Sequence, residues 1–232
     1  MVNKYKLYGY RWEPTRNIYW IFLENAGPKR LSRLKDFELW VDATRWAARL
    51  HTAAPDKSIE ESNLLPCYDN DHFLLCAQRI ERGLSALDST QQQIVSSALN
   101  CYYEIVDYLT VLPRCLIHGE YFGKNIMIRP ENSNDVIAVI DWETAALGPR
   151  AVDIVSITAG RWTSDQRNSM WRAYVEQYER ETSQKIDLVE FHKELRCVAL
   201  YRALWWLGYW LQGDEAHINR WMRELKTVML EH

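Results

Sequence analysis

The chain has 232 residues, 47% of them apolar and 25% charged, which is enough for a substantial core and excludes wholesale disorder. Its 28 basic and 31 acidic residues give a formal charge of −3, which argues against a protein that coats a polyanion. The five cysteines, Cys67, Cys76, Cys101, Cys115 and Cys197, form no CxxC pair and suit reduced thiols in a cytoplasmic protein better than a disulfide framework or a zinc site.

The N-terminal stretch MVNKYKLYGYRWEPTR is polar and basic, without the apolar core of a signal peptide. Lys4–Pro14 and Ile18–Glu24 read as two strands, the second rich in β-branched and aromatic residues, with a turn at Pro14-Thr15-Arg16-Asn17. Asn25-Ala26-Gly27-Pro28 breaks the chain. From Ser32 to His51, Leu34, Phe37, Trp40, Val41, Trp46, Ala47 and Leu50 recur at a helical period. Residues 55–72 read as loop, followed by a short helix over 73–86. Ser89 with Gln92 resembles a capping box that opens a helix with Ile94, Val95, Ala98, Leu99, Tyr102, Ile105, Val106 and Leu109 on one face, ended by Pro113. Three short apolar runs follow, CLIH, NIMIR and VIAVID, framing the polar loops GEYFGK and PENSND. From Ala151 the chain is helical again, with helices at Ser164–Gln184 (Ser164 as cap), Leu188–Gln212 and Asp214–Glu231. The most apolar stretch, Val198–Leu211, is 14 residues long and carries Arg202, so it reads as a buried helix rather than a membrane span of about 20 residues. No repeat or low-complexity linker divides the chain. The 11 tryptophans point to an aromatic core, an aromatic-lined pocket or an interface.

Two segments concentrate the chemically capable residues: Leu116-Ile117-His118-Gly119-Glu120-Tyr121-Phe122-Gly123-Lys124-Asn125-Ile126, and Val139-Ile140-Asp141-Trp142-Glu143 running on to Asp153. A carboxylate on a loop, an amide a few residues later and a second carboxylate at a strand end suit phosphoryl transfer. That reaction needs a carboxylate to orient the attacking hydroxyl and accept its proton, and hard oxygen ligands for Mg²⁺ on the phosphates.

The first segment resembles the catalytic loop HGDxxxxN of the aminoglycoside phosphotransferase and choline kinase family, relatives of the protein kinases. IDWE followed by GPRAVDI resembles that family's metal-binding segment and the Asp-containing stretch after it. WIFLENAGP resembles the hinge strand that contacts adenine, and RWAARLHTA the helix ending in Leu-His. The resemblance implies an α+β protein-kinase-like fold: mainly the helical C-terminal lobe, a small catalytic β-region, and a remnant of the N-terminal lobe sheet in residues 1–27, with the lobe itself at 28–232. It implies ATP-dependent transfer of the γ-phosphoryl group to a hydroxyl of a small molecule. Glu120 would occupy the catalytic-base position, with His118 and Asn125 in the same loop. Asn125 and Asp141 would bind Mg²⁺, Asp153 would support the loop, and backbone groups near Glu24 and Ala26 would meet adenine. Trp142, Trp205 and Trp206 are the candidates for an acceptor pocket. Trp205, Trp206 and Trp210, at i, i+1 and i+5, cannot all share one helix face.

The sequence departs from the family pattern in two places. The catalytic Asp is here Glu120, whose intrinsic pKa of about 4.3 against about 3.9 matters less than its extra methylene of reach. No GxGxxG stands anywhere, no lysine lies in a VAIK-like strand, and only Lys4 and Lys6 precede the hinge-like strand at Ile18, so the N-terminal lobe reads as truncated. The alternative is therefore a non-catalytic kinase-like binding module. The partners expected are a small-molecule acceptor, no nucleic acid and no membrane, together with self-association or a partner covering the face of the missing lobe. Asp214, Glu215 and Glu224 read as a solvated helix face, or else as an anionic wall for a cationic acceptor.

Overall fold

The computed structural model describes residues 6–53, 64–131, 134–160 and 162–231. Parts of the expected first strand (Lys4), of the loop over 55–72 and of the turn PENSND lie outside them. The elements form a mainly helical α+β protein. The chain opens with a hairpin of β1 (Leu7–Glu13) and β2 (Ile18–Leu23), turned by a 3-10 segment at Pro14–Arg16 with Asn17 in the left-handed region. Tyr10 and Tyr19 stack across it at 5.8 Å, but both faces of the hairpin are open to solvent. The Asn25 Oδ1 then accepts from the Gly27 amide at 2.9 Å, an Asx turn that ends the strand.

The helical part comprises α1 (Phe37–Thr52), α2 (Asn70–Gly83), α3 (Ser89–Val111), α4 (Ala151–Ile157), α5 (Ser164–Thr182), α6 (Leu188–Trp210) and α7 (Glu215–Glu231). Acidic or hydroxyl caps start most of them: Asp36, Asp69 and Asp187 each accept from an amide of the first turn. Two helices start one residue earlier than the sequence reading: a capping box forms at Asp88 with Gln91 rather than Ser89 with Gln92, and Thr163, in a capping box with Gln166, replaces Ser164 as cap. In Asp88-Ser89-Thr90-Gln91-Gln92 both registers satisfy the pattern, and the helix takes the charged acceptor. The first long helix begins at Phe37 rather than Ser32, because Leu31–Arg33 forms a separate 3-10 turn. Asp69 starts α2 inside the expected loop.

The three apolar runs form strands but do not form one sheet. β4 (Arg114–Ile117) pairs with β7 (Ala146–Pro149), an unexpected strand, while β5 (Ile126–Glu131) pairs with β6 (Asn134–Val139) and with the two-residue β3 (Lys29–Arg30). All of these pairs are antiparallel. The unexpected strand has the sequence Ala146-Leu147-Gly148-Pro149, too short and too rich in turn residues to read as a strand by propensity.

One core unites these elements, with Phe73, Ile80, Tyr102, Leu109, Ile117, Ile154, Phe191 and Leu204 fully or almost fully buried. Each such side chain contributes roughly 1.5–3 kcal/mol. α6 runs through the middle, packing against α2, α3, α4 and α7. That explains why its sequence is apolar on nearly all sides. Among the described residues, no helix is long and apolar enough to cross a membrane.

Gly27 ties the hairpin to the rest. Its φ is +113°, and a Cβ there would stand 2.5 Å from the Ile128 carbonyl oxygen of β5. Gly27→Ala therefore forces strain or separation at this junction, a cost of about 2 kcal/mol, and is expected to lower the melting temperature by about 4–8 °C in a circular-dichroism melt.

Candidate active site

The loop between β4 and β5 has no ladder to satisfy its amides, and a buried carboxylate does so instead. Asp153, in the first turn of α4, accepts from the His118 amide at 2.7 Å with Oδ2 and from the Gly119 amide at 2.9 Å with Oδ1. The His51 Nε2–H at the end of α1 donates to the same Oδ2 at 3.1 Å, while the Tyr174 hydroxyl donates to His51 Nδ1 at 2.8 Å. Asp153 and His118 are fully buried. The His118 Nε2–H donates to the Ile140 carbonyl at 2.9 Å, which leaves Nδ1 to accept from the Glu120 amide at 3.2 Å. His118 thus joins the loop to the end of β6. The Thr144 hydroxyl also donates to the His118 carbonyl at 3.0 Å, and at Gly119 (φ +83°) a Cβ would collide with the Thr144 carbonyl.

Strand register places Asn125 and Asp141 at the same end of the β5–β6 hairpin. Ile126 pairs with Val139, and the Ile140 amide donates to the Asn125 carbonyl at 2.9 Å, so Asp141 follows immediately beside Asn125. The Asn125 Nδ2 donates to the Glu120 carbonyl at 3.0 Å, a bond that does not use its Oδ1. Asp141 is exposed and sits in the left-handed region, φ 70° and ψ 58°, where a non-glycine residue costs of order 1–2 kcal/mol. One amide oxygen and one carboxylate make a hard-oxygen pair that fits Mg²⁺, which commonly takes one or two protein ligands and fills its shell with water and phosphate. Among the described residues no group of three or more His, Cys, Asp and Glu is arranged to hold a metal. The Glu120 side chain is 15% exposed, and Lys124 Nζ lies 3.1 Å from its Oε2.

Glu120 opens on a cavity of about 410 Å³ between its own loop, α2 and the C-terminal half of α6. Trp205 and Trp206 line it, as does Trp210, because the cavity wraps around the end of the helix and so reaches positions that one face could not offer. Tyr209 and Glu143 also line it, and the Arg79 guanidinium lies 4.3 Å over the Trp205 ring. Trp142 does not line it. Its ring packs between His118 (4.8 Å) and Trp46 (6.3 Å), and its Nε1–H donates to the Val139 carbonyl. Nor do Asp214, Glu215 and Glu224 form an anionic wall: Asp214 pairs with His217, Glu224 pairs with Arg202, and none of the three lines the cavity. At the other edge of the site, Glu24 forms an ion pair with Arg129 of β5 at 2.8 Å, which sets the hinge-like strand beside the β5–β6 hairpin; Ala26 follows in the connection to β3. Sequence reasoning missed Arg79, Tyr209 and His51, although His51 closes the Leu-His pair that was read as a helix end.

His72 braces the cavity wall from behind, stacked on Tyr68 at 3.7 Å and Trp205 at 5.0 Å, with Nε2 and the Tyr201 hydroxyl 2.7 Å apart. Burial pushes its pKa down to about 4 from 6.5. The folded form is thus neutral where an unfolded chain would take up a proton. Stability is full above pH 6.5 and is lost as pH falls toward 4, by about 3 kcal/mol. Urea titrations at pH 7 and pH 4 should find this slope reduced in His72→Gln. Asp153→Ala strips three buried donors of their acceptor and should cost at least about 3 kcal/mol in the same titration at pH 7.

A family model described as "Phosphotransferase enzyme family" matches residues 11–189. No curated protein sequence matches the chain. Among solved structures, an aminoglycoside 2′-phosphotransferase of type IIIa in complex with GDP is similar over 100% of this chain and 76% of its own, with a TM-score of 0.72 and 16% identity. Ethanolamine kinase from Plasmodium vivax is similar over 97% of this chain and 66% of its own, with a TM-score of 0.61 and 14% identity. Spectinomycin phosphotransferase, in complex with ADP and spectinomycin, is similar over 94% and 69%, with a TM-score of 0.57 and 14% identity. The fold is that of these kinase-like enzymes, and with the family model spanning well over half its length the chain belongs to the phosphotransferase enzyme family.

Proposed function

We propose that the protein transfers the γ-phosphoryl group of a purine nucleoside triphosphate, ATP in the first instance, to a hydroxyl of a small molecule. The observation that carries this reading is Glu120 on a braced loop, lining an aromatic cavity and hydrogen-bonded through its carbonyl to Asn125 at the start of the hairpin that ends at Asp141. The GDP and ADP complexes among the similar structures support a purine nucleotide as donor.

The acceptor would rest against Trp205, Trp206, Trp210 and Tyr209 with its hydroxyl toward Glu120. The Glu120 carboxylate orients that hydroxyl and takes its proton as the oxygen bonds to the γ-phosphorus, while the bond from phosphorus to the leaving diphosphate breaks. Asn125 Oδ1 and the Asp141 carboxylate would hold Mg²⁺, which neutralises charge on the phosphates. The His118 and Asp153 network keeps the Glu120 backbone fixed during the transfer, the kind of positioning on which this chemistry depends. Lys124 draws the longer Glu120 carboxylate to one side and must share it with the incoming hydroxyl. Backbone groups near Glu24 and Ala26 would meet the purine. Residues 28–232 would act as the phosphotransferase lobe, with the hairpin of 1–27 at its nucleotide edge.

Calorimetric titration of a non-hydrolysable ATP analogue should find binding that requires Mg²⁺ and disappears in Asp141→Asn. Glu120→Gln should retain that binding within about twofold yet lower kcat at least about 100-fold in an acceptor screen that detects nucleoside diphosphate release. A well-folded sample that binds no analogue at millimolar concentration would return the protein to the non-catalytic reading.

A further inference from the structure

Away from Glu120, the helices α4, α5, α6 and α7 enclose a second cavity of about 320 Å³. Arg167 and Trp171 of α5, Arg196 and Arg202 of α6, and Glu224 of α7 line it. Arg202 Nη2 donates to Glu224 Oε1 at 2.7 Å, and Glu224 is the single carboxylate among the described lining residues. Arg202 Nε, Arg167 Nε and Trp171 Nε1 are all buried, and none has a hydrogen-bond partner among the described residues.

The shortage here is of acceptors. The Thr158 and Thr227 hydroxyls in the lining donate to the carbonyls of Ile154 and Arg223, and none of the three N–H groups reaches either hydroxyl oxygen. The Arg202 side chain is only 6% exposed, and its burial pulls the guanidinium pKa below its ordinary value, with Glu224 opposing. Buried N–H donors without acceptors are expensive to keep, and three around one void match a ligand with several oxygens. Guanidinium groups suit that role because their planar donors match phosphate and carboxylate geometry.

We propose that this cavity is a binding site for a small oxyanion, a phosphate or carboxylate group, held by Arg167, Trp171 and Arg202. Arg202 also lines the cavity that contains Glu120, so the bound anion would lie one side chain away from the acceptor wall.

The test is calorimetry without Mg²⁺ or nucleotide, titrating inorganic phosphate and, separately, acetate at fixed ionic strength. One phosphate should bind per chain, unchanged in Asp141→Asn and weakened about tenfold or more in Arg167→Gln and measurably in Trp171→Phe. Trp171→Phe keeps the ring and removes the N–H, so it carries the test even if Arg167→Gln does not fold. Acetate binding at the same stoichiometry would extend the site to carboxylates, and its absence would restrict the site to phosphate. No heat from either anion, binding undiminished in both cavity variants, or binding lost in Asp141→Asn would each overturn the proposal.

Discussion

Two consecutive backbone amides, those of His118 and Gly119, end on the two oxygens of one carboxylate, Asp153. Without it the loop after β4 would bury N–H groups with no acceptor, since that stretch belongs to no sheet. The carboxylate is held in turn by His51, whose ring is fixed by Tyr174, so α1, α4 and α5 all contribute to the position of one loop. A charge this deeply buried is sustained only by such complete pairing. The tautomer logic continues outward. His118 gives its one ring hydrogen to Ile140, and its other nitrogen takes the Glu120 amide, so a single neutral imidazole passes the constraint to the residue at the centre of the site.

The second support is strand register. Asn125 and Asp141 are distant in sequence, and neither is held by a hydrogen bond to the other. The β5–β6 hairpin brings them side by side because Ile126 faces Val139, and a one-residue slip would turn each of its side chains to the opposite face. Ile126, Ile128, Ile137 and Val139 are all buried, so that slip is opposed by the core. The pair proposed to hold Mg²⁺ is therefore positioned by apolar packing rather than by its own chemistry.

Much of this was legible in the sequence where chemistry and local pattern coincide. The HGE and IDWE segments identified the loop and the strand end because such polar groups rarely stand together on short apolar runs, and helical periodicity found the long helices. The misses have local causes. β7 carries Gly148 and Pro149 and becomes a strand because β4 lies along one edge and Pro66–Tyr68 bond to Leu147 on the other. The capping box at Asp88 lies one residue before the expected Ser89 because adjacent registers were equally good, and the cap at Thr163 lies one before Ser164 because only Thr163 has a glutamine three residues on. Trp142 stands beside Asp141 in sequence, yet its ring, still partly open to solvent, packs on His118 rather than lining the cavity. Arg79 and Tyr209 were invisible as site residues, since only the packing of α2 on α6 brings Arg79 over Trp205.

The placement of α6 bears on how such a protein can change over evolutionary time. The helix that supplies Trp205, Trp206 and Trp210 to the cavity proposed for the acceptor is also the central buried element, with Leu200, Leu204 and Leu207 in the core. Substitutions along it alter acceptor fit and core packing together, and marginal stability leaves little room for both. Drift toward a new acceptor would then proceed through residues outside the core, such as the exposed Tyr209, while the tryptophans change only after compensating stabilisation elsewhere.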